Sequence, residues 1–366
     1  MKNIAKDLVK LGIRAASAGW KPYSRLVLLG DGQNWSLDHD MREIRALSKK
    51  LGIQTAPSPW RFSATPQAQL YFSHYTLVED TKWLEGKHRI GITFPEGVPP
   101  VEDKPKHRVF QAICRHSDRI HRIQVSHPAM REYILESGID PGKVFVIPIG
   151  INLSFFRYRN QELRTHLRTR FGIPEKAFVI GSFQKDGTGW GDGLEPKLVK
   201  GPDIFLETIE KLKPVLPELF VLLIGPARGY VKAGLDRLSV RHASLGKQPY
   251  PQACRAYAAL DLYLVTSRQE GGPKAILEAM ASGVPLVTTR VGQAMELVKH
   301  GQNGWMADVE DVNGLAQWAS QVYHKRDNAE FEQVLQNGRT TAESNSYERQ
   351  QPLWRNFMRG FVEWEA

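Results

Sequence analysis

The chain has 366 residues, more than the ~250–300 at which a single core stops growing, so two domains are expected. With 42% apolar and 24% charged residues, no apolar run near the ~18 residues of a spanning helix, no signal-peptide pattern and only two distant cysteines, Cys114 and Cys254, it reads as a globular cytoplasmic protein without a disulfide framework. The formal charge of +10 favours anionic partners, but the basic residues are dispersed among helices and not interleaved with aromatics, which disfavours nucleic acid.

Residues 2–16 have an amphipathic helical pattern. Lys2, Lys6, Lys10 and Arg14 recur every four residues, with Ile4, Leu8, Leu11 and Ala15 on another face. Such a helix either packs its apolar stripe on the body or lies on an anionic membrane; packing is the expectation. Arg25 to Leu29 reads as a buried strand, followed by a loop containing Gly30, Asp31, Gly32, Asn34 and Trp35, then a helix over 41–51. Further strands fall near 68–73, 89–93, 119–125 and 143–148, alternating with helices. Residues 153–171 are charged and aromatic, with no strand pattern, and read as a crossing between domains. A second alternating set has strands near 177–183, 219–224, 262–266 and 285–289. The pattern predicts two parallel, doubly wound α/β domains, with ligands at the carboxyl ends of the strands. The aromatic tail, with Tyr347, Trp354, Phe357, Phe361 and Trp364, reads as a helix that Pro352 could bend.

The densest chemistry lies between Ser267 and Pro285. The strand 262–265 leads into Glu270-Gly271-Gly272-Pro273-Lys274, then a run of helix formers containing Glu278 and closed by Gly283. Backbone N–H groups at a helix N-terminus suit a diphosphate, and flanking carboxylates suit sugar hydroxyls. A strand–helix turn with one acidic helix start would look similar, but would not need the whole string of Gly271, Gly272, Pro273 and Gly283.

This Glu-Gly-Gly-Pro…Glu-Ala-Met-Ala-x-Gly string resembles the Glu-x7-Glu signature of retaining GT-B glycosyltransferases of the family 4 type (glycosyl transferases group 1). Its flanks, and residues 146–156 at the family's interdomain junction, resemble that family too; residues 120–310 match well and the first ~110 poorly. The resemblance implies two Rossmann-like domains facing a central cleft: residues 1–165, joined by the C-terminal helix 346–366, on the acceptor side, and residues 166–345 for the nucleotide sugar. It implies that Glu270 contacts the donor sugar, that Glu278 holds the ribose, and that Gly271, Gly272, Pro273 and the backbone of Lys274 approach the diphosphate. A basic pair should face the leaving phosphate. Lys200 fits one place. Where an arginine usually follows the strand glycine, Ser182 stands, and Lys185 is the candidate replacement. The glycine-rich insert 187–193 is either a phosphate nest or a mobile loop.

In the first domain, Gly32 and Asn34 are donor-side candidates, because Trp35 spoils a dinucleotide fingerprint there. Glu96 stands where the family's acceptor-side histidine is sought, and His74 is a second candidate. His116, His121 and His127 have no metal spacing. The implied chemistry is a retaining transfer from a nucleoside diphosphate sugar to a carbohydrate or glycolipid hydroxyl, with no covalent nucleophile and no metal, the leaving phosphate assisting deprotonation of the acceptor. A sugar-nucleotide epimerase, a phosphorylase and a non-catalytic nucleotide- or partner-binding subunit remain open as alternatives. Peripheral association with an anionic membrane is compatible with the basic charge.

Overall fold

The computed structural model describes residues 2–30, 32, 36–72, 84, 86–98, 104–326 and 328–365. The chain divides into two compact units, Met1–Ile149 with Tyr347–Ala366, and Gly150–Ser346. Each contains one six-stranded parallel sheet.

In the first unit the strands are β1 Arg25–Leu29, β2 Gln54–Ala56, β3 Ala68–Tyr71, β4 Arg89–Phe94, β5 Ile120–Val125 and β6 Val144–Val146, ordered β2-β1-β3-β4-β5-β6. Side chains alternate across the sheet with period two. Val27 and Leu29 join Ile90, Ile92, Ile113 and Val125 on one face, while Leu26 and Leu28 join Ile44, Leu70, Trp354, Phe357 and Phe361 on the other. The C-terminal tail is therefore part of the first unit's core. Its helix is shorter than the sequence suggests, Gln351–Met358, and Pro352 lies in its first turn and causes no bend. A proline there gives up no intrahelical hydrogen bond.

The second unit has β7 Phe178–Phe183, β8 Leu219–Ile224, β9 Arg241–Ser244, β10 Leu262–Val265, β11 Leu286–Thr289 and β12 Trp305–Ala307, ordered β12-β11-β10-β7-β8-β9. Read from β9, this is the 3-2-1-4-5-6 order of dinucleotide-type sheets, and the order reverses between β7 and β10. Ligands of such sheets bind outside the carboxyl ends at that reversal. Both faces are covered: Val179, Leu222, Tyr263 and Val265 lie in one core, and Ile180, Val221, Leu262 and Leu264 in the other.

Three corrections to the sequence reading follow. Residues 150–165, placed by the sequence with the first domain, pack in the second unit. Ile151 and Phe156 are in its core, and helix Gln161–Arg170 sends Arg164 and Arg168 to the Asp261 carboxylate ahead of β10. Strands β2, β9 and β12 were not foreseen; all three are edge strands of three or four residues, too short to show a period. Helix Lys2–Ser17 does not bury its apolar stripe: Leu8 and Leu11 are 63% and 65% exposed, and Ala15 is exposed too.

Candidate active site

The loops after β7 and β10 meet at the strand-order reversal. After β10 the chain runs from Thr266 to Pro273 and enters helix Lys274–Ser282, which Gly283 ends in a left-handed conformation. After β7 it makes an excursion, then the single turn Leu198–Lys200, then helix Pro202–Leu212. The two loops are fastened together. Arg268 donates from its backbone N to Val199 O (3.0 Å) and through its guanidinium to Leu198 O (2.8 Å) and both oxygens of Asp203 (2.8 and 2.7 Å). Thr266 Oγ1 donates to Gly201 O at 2.8 Å. Gly201 has φ +61°, and a Cβ there would lie 1.9 Å from Thr266 O, so no other residue fits this crossing. Bidentate arginine–carboxylate pairs combine strength with fixed geometry, so Lys200 is held on a rigid frame.

That frame brings Lys200 to Glu270. The Lys200 ammonium donates to both carboxylate oxygens at 2.6 Å, and Ser267 Oγ donates to Oε1 at 2.8 Å. Both side chains keep some exposure, 24% and 12%, so the pair is reachable from solvent. On the next helix, Glu278 is 9% exposed; its two oxygens accept from Tyr250 OH and Tyr257 OH, each at 2.8 Å. Burial and the nearby Glu278 push the Tyr257 hydroxyl well above its ordinary pKa, so it stays protonated and donates. A carboxylate has about four lone-pair sites, so Glu278 can still accept from two ligand hydroxyls. The glycine loop is also pressed from β11. Gln293 N donates to Gly271 O (2.7 Å), and Gly292, at φ +47°, sits where a Cβ would be 2.2 Å from the carbonyls of Glu270 and Gly271. Gly271, Gly272 and Pro273 thus lead directly into the helix N-terminus, with Lys274 as its first residue, its Nζ 5.1 Å from the Tyr250 ring centroid.

Lys185 follows β7, half-buried, with its ammonium 4.2 Å from the Trp190 ring centroid. Burial lowers its pKa. The group that reaches Ser182 is instead Arg228, which the sequence reading missed. Fully buried, it donates to Ser182 Oγ (3.1 Å), Ser182 O (2.7 Å), Gln184 O (2.8 Å) and Ile224 O (3.2 Å), and pairs with the buried Asp186 at 3.0 Å. Burial pushes the Asp186 carboxyl up to about 6, against the opposite pull of Arg228. Arg228 therefore braces the end of β7. The insert is a built hairpin: Gly187 bridges Pro196, and Asp192 accepts from Arg228 N (3.3 Å) and Lys232 Nζ (2.8 Å).

The structure thus brings together Glu270, Glu278, Lys200, Gly271, Gly272, Pro273 and Lys274 in the second unit, with Lys185 on the adjoining loop. Tyr250, Tyr257 and Ser267 join them, unforeseen. The one available signal was the seven-residue spacing of the two tyrosines, two helical turns on one face. Gly32, exposed at φ +70°, and the half-buried Glu96, after β4, belong to the first unit. Asn34 and His74 lie outside the described residues. Among the described residues no three His, Cys, Asp or Glu side chains are grouped to hold a metal ion. A separate cleft of about 330 Å³, lined by residues such as Arg159, Asp261 and Gly283, opens at the amino ends of β10 and β11, away from this chemistry.

Residues 193–325, spanning the loop of Lys200 and the Glu270–Glu278 helix, match the family described as Glycosyl transferases group 1. Over those residues the chain is similar to the group 1 glycosyl transferases. A D-inositol 3-phosphate glycosyltransferase of Thermomonospora curvata is 27% identical over 277 residues, which are 65% of this chain and 61% of that protein. An N-acetyl-alpha-D-glucosaminyl L-malate synthase of Bacillus anthracis is 41% identical over 78 residues, about a fifth of each chain. The chain spans about 60% of the length of the inositol phosphate enzymes it matches. Among solved structures, Anabaena HepE in complex with UDP-glucose superposes with a TM-score of 0.72 at 18% identity, covering 92% of this chain and 99% of that one. A glycosyltransferase from Rickettsia africae superposes with a TM-score of 0.67 at 16% identity, covering 93% and 99%. The chain thus has the GT-B fold of these structures, as its sequence resemblance implied. No helix among the described residues is long and apolar enough to cross a membrane.

Proposed function

We propose that this protein is a retaining glycosyltransferase, moving a sugar from a nucleoside diphosphate sugar to an acceptor hydroxyl in the assembly of a surface glycan or glycolipid, and working in the cytoplasm without a metal ion. The observation that carries the reading is the Lys200–Glu270 pair, with both carboxylate oxygens 2.6 Å from the ammonium, beside a glycine loop and a helix N-terminus at the strand-order reversal. HepE, of similar fold, was solved with UDP-glucose, which supports a nucleotide sugar as the donor.

In this reading the helix start and the backbone of Gly271 and Gly272 receive the diphosphate. Glu278 accepts from the ribose hydroxyls while its tyrosines keep it oriented. Lys200 shifts part of its charge from Glu270 to the phosphate as the glycosidic bond lengthens and negative charge grows on the leaving group. Glu270, released in part, accepts from a sugar hydroxyl and fixes the ring. The acceptor attacks from the face the diphosphate leaves, and the phosphate takes its proton. Lysines and helix N–H groups would carry the phosphate charge that a metal carries elsewhere.

The stereochemistry is testable without knowing the acceptor. Incubated with UDP-, GDP- or ADP-glucose, the enzyme should slowly release glucose whose first-formed anomer, followed by proton NMR, is α. EDTA should leave that rate unchanged. First-formed β-glucose, or loss of activity on chelation, would contradict the scheme.

A further inference from the structure

The hairpin inserted between β7 and Lys200 carries an exposed indole, that of Trp190 (57%), on a stiff base. Thr188 donates to Glu195 twice, from its backbone N to the carbonyl (3.0 Å) and from Oγ1 to Oε2 (2.9 Å), and Lys197 N donates to Asp186 O (2.7 Å). Two glycines let the hairpin press on the loop after β8. A Cβ at Gly187 would lie 2.4 Å from Ala227 O, and one at Gly229 would lie 2.1 Å from Asp192 O. Trp190 is therefore held in place without being buried, and its own side chain contributes little to the fold. Two cations gather on its ring, Lys185 Nζ at 4.2 Å and Lys247 Nζ at 5.7 Å from the centroid.

Lys185 and Lys247 each follow a residue of one backbone ledge. Gln184 O faces Gly225, where a Cβ would lie 2.6 Å away, and Gly225 N donates to Gly246 O (2.9 Å). Nothing stands within 4 Å of where a Cβ at Gly246 would be, so the ledge is open there. Both ends of the ledge lead into the donor site. Gln184 Nε2 donates to Lys200 O (3.2 Å), and the loop that starts at Gly246 reaches Tyr250, whose hydroxyl donates to Glu278 (2.8 Å). We infer that Trp190 stacks on the nucleobase of the donor, over the glycine ledge of Gly225 and Gly246. The inference rests on the reading of this site as one for a nucleoside diphosphate sugar. With the diphosphate at Lys200 and the glycine loop and the ribose at Glu278, the base is the part of the ligand nearest the Tyr250 loop, hence nearest Lys247 and Trp190. A base is flat, and both an indole face and a strip of backbone without side chains receive a flat ring. Lys185 keeps one face of the indole, while Lys247, farther out, yields to the base and donates to its edge.

The test is calorimetric titration of UDP, GDP, ADP and inorganic pyrophosphate into the full chain as wild type, Trp190→Ala, Trp190→Phe and Glu278→Ala. For the nucleotide that wild type binds most tightly, Trp190→Ala should weaken binding about tenfold or more. Trp190→Phe should weaken it less than about threefold, since a smaller aromatic face still stacks. Pyrophosphate has no base and should bind wild type and Trp190→Ala equally. Both Trp190 variants should melt at the wild-type temperature, because the indole is exposed. Nucleotide binding should also change the tryptophan fluorescence of wild type more than that of Trp190→Phe. Equal nucleotide affinity in wild type and Trp190→Ala, with binding still lost in Glu278→Ala, would overturn this inference and leave the donor site standing. A loss for pyrophosphate as large as for the nucleotide would overturn it too, since Trp190 would then serve the phosphates. Failure of wild type to bind any nucleotide would overturn the donor-site reading and this inference together.

Discussion

Lys200 and Glu270 neutralise each other across 2.6 Å before any ligand arrives, so each mutation has a distinct kinetic signature. Lys200→Ala should lower kcat by on the order of 10²-fold with a smaller change in KM, because its charge is needed as the phosphate departs. Lys185→Ala should cost much less, since that ammonium rests on the Trp190 ring; steady-state kinetics of the pair decide between them. Glu278→Ala should raise the donor KM about tenfold or more, the loss of charge-assisted hydrogen bonds. It should also lower stability, since Tyr257, 1% exposed, loses its acceptor. The Asp186–Arg228 pair predicts a pH effect of definite sign. Burial raises the Asp186 pKa from about 4 to about 6, so the native state binds a proton more tightly than the unfolded chain. Its stabilising contribution is fully present below about pH 4 and lost as pH rises through 6. Urea melts should show wild type losing stability relative to Asp186→Asn across that window; parallel curves would contradict it.

The crossing of the loops after β7 and β10 is the element on which the site depends. Gly201→Ala should destabilise the protein by more than about 1 kcal/mol in urea melts, because the φ is positive and the Cβ would strike Thr266 O. If the loop yields instead, Lys200 moves and kcat falls in the folded enzyme. Much of this element was legible from sequence. Glu270, Glu278 and the glycines between them lie in one continuous strand–loop–helix string, and local patterns are what sequence shows well. Lys200 was legible through the Lys-Gly-Pro that starts a helix. Arg228 was not, because its partner Ser182 is 46 residues away on another strand, and only the parallel pairing of β7 with β8 brings them together. The edge strands escaped for the related reason that their partners, and not their own residues, define them.

At the scale of the molecule, the sequence foresaw two parallel α/β units but drew their boundary about 16 residues late. Residues 153–171 read as a crossing between domains, but Arg164 and Arg168 in that segment pair with Asp261 of the second unit. The N-terminal helix was misread in the opposite sense: its amphipathic pattern is real, but a pattern does not say which way its apolar row turns. The account's central claim is that the second unit binds a nucleoside diphosphate sugar through Glu278 and the glycine loop. The most direct test is a thermal-shift panel of UDP, GDP, ADP and their glucose, N-acetylglucosamine and mannose forms, on wild type and Glu278→Ala. A ligand at about 100 times its Kd adds about 2.7 kcal/mol of stability, a readily visible shift. The account predicts stabilisation by one nucleotide series, lost in Glu278→Ala. No shift with any nucleotide, or an equal shift in the variant, would contradict it.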